Sequence, residues 1–287
     1  IHKYLHPYIK EWDCPLFCNC FYYNTFLLTI VVFFINFNYL IKYFYLHVII
    51  EKGDGKMKKR NWKTIGIGIA TIFIYFFVQL FAGNLLGLFG LDTSSINTHI
   101  KFLYLTVVDI LILSSILLIN HKTIEHDFKD ILKNHKKYFS KGINYWLISL
   151  IVMMASNLII MLFFNNAIAN NEDTIRTMLK INPIYVYFSA VFFAPVVEEL
   201  VFRQSIRNII KNDTLFIIVS GLVFGSLHVI GSATNWTDFL YIIPYSAPGI
   251  AFACMLAKTK NIFTSIGFHF MHNGILVGLQ FLVLLFG

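Results

Sequence analysis

The chain has 287 residues, of which 57% are hydrophobic and only 13% charged, about half the charged share of an ordinary soluble domain. That composition excludes a water-soluble globular protein and points to one embedded in a bilayer. A formal charge of +8 could signal nucleic-acid binding, but the positive residues fall in alternate loops, as membrane topology arranges them. No nucleic-acid partner is therefore expected.

Residues 1–56 differ in kind from the rest. They hold three of the four cysteines, Cys14, Cys18 and Cys20, at a spacing that matches no zinc pattern. A candidate span at 26–50 is interrupted by Asn36, Asn38, Lys42 and His47. Met57 opens a run of Lys58, Lys59 and Arg60 that leads into apolar sequence, the form of an inner-membrane protein's start. Lys52-Gly53-Asp54 can be encoded by a bacterial ribosome-binding site. The expectation is an upstream extension over 1–56 and an integral-membrane domain over 57–287.

Seven apolar stretches long enough to cross a bilayer follow at 65–89, 102–119, 145–164, 183–202, 215–230, 239–257 and 262–286. The expected fold is an all-α polytopic helix bundle of about seven spans, or eight if 26–50 is counted. The segments 51–61 and 121–141, with Arg207, Lys211, Lys258 and Lys260, carry 15 basic residues, whereas the intervening loops hold Arg176 and Lys180, with Lys101 at an edge. Basic residues mark cytoplasmic loops, so residue 57 is expected inside and Gly287 outside. Asp109, within the second span, is read as a structural hydrogen-bonding group. The polar stretch 165–174 reads as an outside loop leading into an amphipathic surface helix.

The fourth span ends in Glu198, Glu199 and Arg203. An ionised group at bilayer depth costs about 3 kcal/mol or more and ordinarily faces a partner or a cavity. Glu199 and Arg203 are four apart, so a helix stacks them as an ion pair, while Glu198 points about 100° away with no local partner. The fifth span puts Phe224 one turn before His228, with Gly221 and Gly225 in a spacing that lets helices pack closely. In the last span His269 stacks on Asn273, and His272 lies on a neighbouring strip. Together these groups can satisfy one another in one buried cavity. The competing reading is a purely structural polar network between helices.

A carboxylate in a low-dielectric pocket can take a proton from water. Imidazoles can orient that water or ligate a metal, and an asparagine amide can donate to a developing oxyanion. Those parts suit amide hydrolysis. No Ser/His/Asp or Cys/His arrangement and no His-Glu-x-x-His is present in the chain.

Glu-Glu-x-x-x-Arg (Glu198, Glu199, Arg203), Phe-x-x-x-His (Phe224, His228) and His-x-x-x-Asn (His269, Asn273), in that order on three late spans, resemble the CAAX protease and bacteriocin-processing family. This intramembrane protease group, also called abortive-infection proteins, includes the type II CAAX prenyl endopeptidases. The resemblance implies that Glu198 activates the attacking water, that His228 and His269 hold that water or a metal, and that Asn273 stabilises the oxyanion. Glu199 would pair with Arg203 and share in catalysis, and Pro248-Gly249 is assigned to the motif before the last span. Glu198, His228 and His269 could supply three ligands to a zinc ion with an open water position. A metal-free mechanism uses the same residues, so sequence leaves the two open. His272 is read as a packing or supporting residue.

The residue bias toward Ile, Asn, Lys, Phe and Tyr points to a low-GC bacterium. The family analogy then favours a peptide substrate at the lipid bilayer, such as a bacteriocin or pheromone leader, or a part in self-immunity. A non-proteolytic membrane scaffold or immunity factor is the alternative from another class. A haem or metal-ion carrier using His228, His269 and His272 is a weaker one. If the extension reading is right, N-terminal sequencing of protein expressed from its native locus begins at Met57; a peptide from residues 1–56 overturns it.

Overall fold

The computed structural model describes residues 62–88, 96–164 and 168–286. The expectations for 1–56, for Met57 and for a span at 26–50 lie outside the described residues. Within them the chain is helical, with no strand. Its elements are α1 (Trp62–Leu88), α2 (Thr98–Phe164), α3 (Asn170–Ile181), α4 (Pro183–Ile209), α5 (Asp213–Ile230), a short 3-10 turn (Trp236–Tyr241), α6 (Ile242–Thr259) and α7 (Ile262–Phe286). Among the described residues, six helices are long and apolar enough to cross a membrane: all of these except α3, with the 3-10 turn continuing into α6. The chain is thus an all-α, multi-pass membrane protein.

The spans expected at 102–119 and 145–164 are joined in one helical element, and the segment read as a loop at 121–141 is helical. The reason is local. That segment contains no proline or glycine, and the Glu125–Lys129 pair supports it at helical spacing. A straight helix of 67 residues would be about 100 Å long, roughly three bilayer cores. The packing rules out a straight path. Phe102 shares a hydrophobic cluster with Met178 and Leu179, Ile160 shares another with Ala169, and less than three turns of α3 separate those partners. The element therefore doubles back, with 121–141 at the turn.

At the turn, polar groups on α2 lock the connection between α6 and α7. Asn261 donates to the Asp127 carbonyl (2.7 Å) and to Asp130 Oδ2 (2.8 Å). The Asp127 carboxylate accepts the Ile262 N–H (2.9 Å) and so caps the start of α7. Arg207 and Lys260 meet Asp213 at the same end. Arg207, Lys260 and the 127–130 part of the lysine-rich segment are thereby gathered at one end of the bundle.

The expected amphipathic helix is α3. Its Met178 and Leu179 are buried, and Asn170 donates to the Ser232 carbonyl and to Asp238. Asp109 is fully buried and accepts hydrogen bonds from Ser189 Oγ (3.0 Å) and Tyr185 OH (3.3 Å) of α4. It is a structural tie between α2 and α4, as the sequence suggested.

The core contact is between α5 and α6, where backbones approach closely. A Cβ on Gly225 would sit 2.8 Å from both the Ile242 carbonyl oxygen and the Ser246 nitrogen. The Gly221/Gly225 spacing is thus a packing device, as expected from small residues between membrane helices. Gly225→Ala is expected to destabilise by about 1–3 kcal/mol through overpacking. Gly66, where an added Cβ would meet nothing within 4 Å, is the control: Gly66→Ala should leave stability level or raised. Thermal unfolding of the detergent-solubilised variants compares the two.

Candidate active site

Helix α4 carries the glutamates and is irregular on both sides of them. Five α-helical residues, Ala194–Glu198, separate π-helical stretches at Tyr187–Phe193 and Glu199–Ser205. Widened turns of this kind concentrate at functional sites, and Pro195 supplies a local cause because it has no N–H to return to the preceding turn. Three carbonyls of this irregular stretch also accept hydrogen bonds from side chains. Ser205 Oγ donates to the Leu200 carbonyl (2.8 Å), Ser220 Oγ of α5 to the Phe202 carbonyl (2.6 Å) and Asn273 Nδ2 of α7 to the Ala190 carbonyl (2.8 Å). In apolar surroundings each such acceptor needs a donor.

Glu199 and Arg203 are fully buried, with the Arg203 Nη1 3.2 Å from Glu199 Oε1. The pair expected from their spacing is therefore formed. It is also held from three further directions. The guanidinium lies 4.0 Å over the Phe224 ring and 5.5 Å from that of Phe252, while Nη2 donates to the Gly249 carbonyl at 3.4 Å. That last contact gives Pro248-Gly249 its place: an acceptor for the arginine, on a helix face brought in by glycine.

The same Glu199 oxygen accepts a hydrogen bond from His269 Nδ1 at 2.9 Å. This contact joins the first motif to the third and was not legible from spacing, because the two residues are 70 positions apart. With a carboxylate at Nδ1, the assigned tautomer leaves Nε2 of neutral His269 as an acceptor. Nε2 faces Glu198 Oε2 at 3.8 Å. Glu198 itself is the accessible member of the acidic pair, with 18% of its side chain exposed against 0% for Glu199.

His228 donates through Nδ1 to the Phe224 carbonyl (2.9 Å), one turn back on its own helix. Its Nε2 is likewise left as an acceptor. The Phe224 ring touches both histidines, with centroids 4.4 Å from His228 and 5.8 Å from His269. Sequence reasoning missed two rings that fix these imidazoles. Tyr245 stacks on His228 (5.0 Å, 26°) and Phe252 on His269 (4.7 Å, 22°). Both lie on α6, seven residues apart and hence on one face, which is a signal the sequence did carry. His272 packs edge-on against Phe252 (6.1 Å).

The structure thus brings Glu198, Glu199, Arg203, Phe224, His228 and His269 together, and holds Asn273 at the Ala190 carbonyl. Among the described residues, no group of three or more His, Cys, Asp or Glu side chains is arranged to hold a metal ion. The Nδ1 atoms of both histidines are engaged by protein oxygens, and Glu199 is committed to Arg203 and His269. The atoms left to hold a metal are Glu198 and the Nε2 atoms of His228 and His269, and these are not gathered into one ligand shell in this structure.

The fold and this site define a class: a multi-pass helical membrane protein with carboxylates and imidazoles packed within the bundle. Residues 180–275, about a third of the chain, match the family described as Type II CAAX prenyl endopeptidase Rce1-like. This matched segment holds all three motifs whose spacing resembles the CAAX protease and bacteriocin-processing family. Among its relatives are a Bacillus subtilis protein named "Putative membrane peptidase YdiL", 28% identical over 115 residues (39% of this chain, 43% of the relative), and an "Uncharacterized protein" of Mycoplasma capricolum, 30% identical over 218 residues (70% and 62%). A third is the "UPF0177 protein YvdC" of Lactococcus lactis, 26% identical over 106 residues (36% and 38%). The matches span less than two thirds of each relative's length. No solved structure gave a significant match.

Removing one partner of a buried ion pair strands the other charge. Arg203→Met is expected to cost about 3–5 kcal/mol, and Arg203→Met with Glu199→Gln to cost less than the single change. Chemical or thermal unfolding of the three proteins provides the comparison.

Proposed function

We propose that the protein is a membrane endopeptidase in which Glu198 activates a water molecule for attack on a peptide carbonyl. The observation that carries this reading is the asymmetry of the acidic pair. Glu199 is sealed against Arg203 and His269, whereas Glu198 is accessible and faces His269 Nε2 across 3.8 Å. That gap is too long for a direct hydrogen bond, but a water oxygen placed beside it can lie within hydrogen-bond distance of both atoms. One water proton then points to the Glu198 carboxylate and the other to an imidazole Nε2, leaving an oxygen lone pair for the substrate.

In the reaction, Glu198 takes a proton as the water oxygen bonds to the carbonyl carbon. The carbon–nitrogen bond then breaks, and the proton held by Glu198 passes to the leaving amine. His228 shares in holding the water, and Glu199 fixes the tautomer and orientation of His269. The Phe224, Tyr245 and Phe252 rings hold the imidazoles in place and keep bulk water away from the site.

The substrate in this reading is a peptide at or in the membrane, of the bacteriocin, pheromone or leader type. A peptide substrate at the membrane is supported by the match of residues 180–275 to the Type II CAAX prenyl endopeptidase Rce1-like family and by the name of the Bacillus subtilis relative. The leader type is our own reading. Cleavage is placed toward the cytoplasmic side. The basic residues gathered near 121–141 and 258–261 support that orientation. Glu198 lies 11 residues, about 16 Å of helix, from the Ile209 end of α4.

With the purified protein in proteoliposomes and a panel of hydrophobic leader peptides, Glu198→Ala and His228→Ala are each expected to reduce cleavage by about 10²–10⁴-fold. If both variants retain full activity, the peptidase reading falls. Elemental analysis of the same preparations, with activity measured before and after a strong chelator, separates metal-assisted from metal-free hydrolysis.

A further inference from the structure

The π-helical stretch of α4 ends with one backbone carbonyl that no backbone donor can reach in register. The N–H of Ala194, four residues after Ala190, donates instead to the Ser189 carbonyl. The residue five after Ala190, where a π-helical bond would come from, is Pro195, which has no N–H. The Ala190 oxygen is met by Asn273 Nδ2, at 2.8 Å, from a different helix. A side-chain amide from α7 therefore occupies the place of a missing main-chain donor in α4.

The location matters for the site. On α7, Asn273 is one turn from His269, and His269 bonds Glu199 of α4. The two helices are thus pinned at two points, Ala190–Asn273 and Glu199–His269, and Glu198 and Pro195 both lie between them in the chain. Losing the first point frees the turn that carries Glu198 to re-form its hydrogen bonds and rotate. Asp109 secures the same turn from the other side, through Ser189 Oγ at 3.0 Å.

We propose that Asn273 is a positioning residue whose carboxamide substitutes for the absent Pro195 N–H, holding the widened turn of α4 in the register that sets Glu198 opposite His269. This rests on the peptidase reading only for its kinetic consequence. It differs from the role the family resemblance implies for this residue, in which the amide acts on the substrate's oxyanion.

The decisive experiment is a cycle of Asn273→Ala, Pro195→Ala and the double variant. Alanine at 195 returns an N–H to the position from which Ala190 can accept. Asn273→Ala alone should lower the thermal midpoint, lower kcat at least 10-fold with KM within about 2-fold, and shift the His269 ring signal in isotope-labelled histidine NMR. Adding Pro195→Ala should restore most of all three. A double variant that recovers stability and the His269 signal but stays as slow as Asn273→Ala overturns the proposal and assigns the amide to the substrate. Effects on stability and on the His269 signal that simply add also overturn it. These two readouts need no substrate. A wild-type protein that cleaves nothing would therefore sink the peptidase reading and still leave the positioning role decided.

Discussion

The arrangement depends on one buried charge pair. Glu199 and Arg203 are both fully excluded from solvent, in a region where an ionised group alone is prohibitive. The pair is tolerable only because other helices complete it. α5 provides Phe224 beneath the guanidinium, α6 the Gly249 carbonyl and Phe252, and α7 the His269 imidazole. A salt bridge of this kind is weak as a source of stability, since replacing it with apolar residues is often neutral or better. Its value here is specificity. Four helices must adopt one relative placement for the pair to be satisfied, and that placement defines the site.

A division of labour follows from it. Glu199 is committed to Arg203 and His269 by the contacts that bury it, which leaves Glu198 as the more accessible member of the acidic pair. The two histidines are treated alike: each has Nδ1 engaged by a protein oxygen and one face covered by an aromatic ring of α6. Each therefore presents Nε2. The site is built so that most of its polar atoms are fixed and a few are left to act.

The irregularity of α4 belongs to the same design. Pro195 leaves the Ala190 carbonyl without its backbone donor, and Asn273 of α7 takes it up, while Ser220 of α5 donates to the Phe202 carbonyl in the second widened turn. Helix-breaking residues survive at bilayer depth only under that condition. The irregular backbone and the polar side chains of neighbouring helices are thus mutually dependent.

Several of these features are legible in the sequence alone. Hydropathy marks the spans, and the four-residue spacings of Glu199 with Arg203 and Phe224 with His228 identify pairs, because a helix places such neighbours on one face. The Gly221/Gly225 packing is readable for the same reason. The helical character of 121–141 within α2 was missed, because topology rules read charge and not helix propensity. What the sequence by itself determined is each contact made within one turn of one helix, where spacing alone fixes distance. Only the tertiary structure decided that His269 orients on Glu199, that Tyr245 and Phe252 cover the two imidazoles, and that Asn273 meets the carbonyl Pro195 cannot serve. Those contacts cross between helices, and their register comes from packing, which no spacing in a single chain encodes.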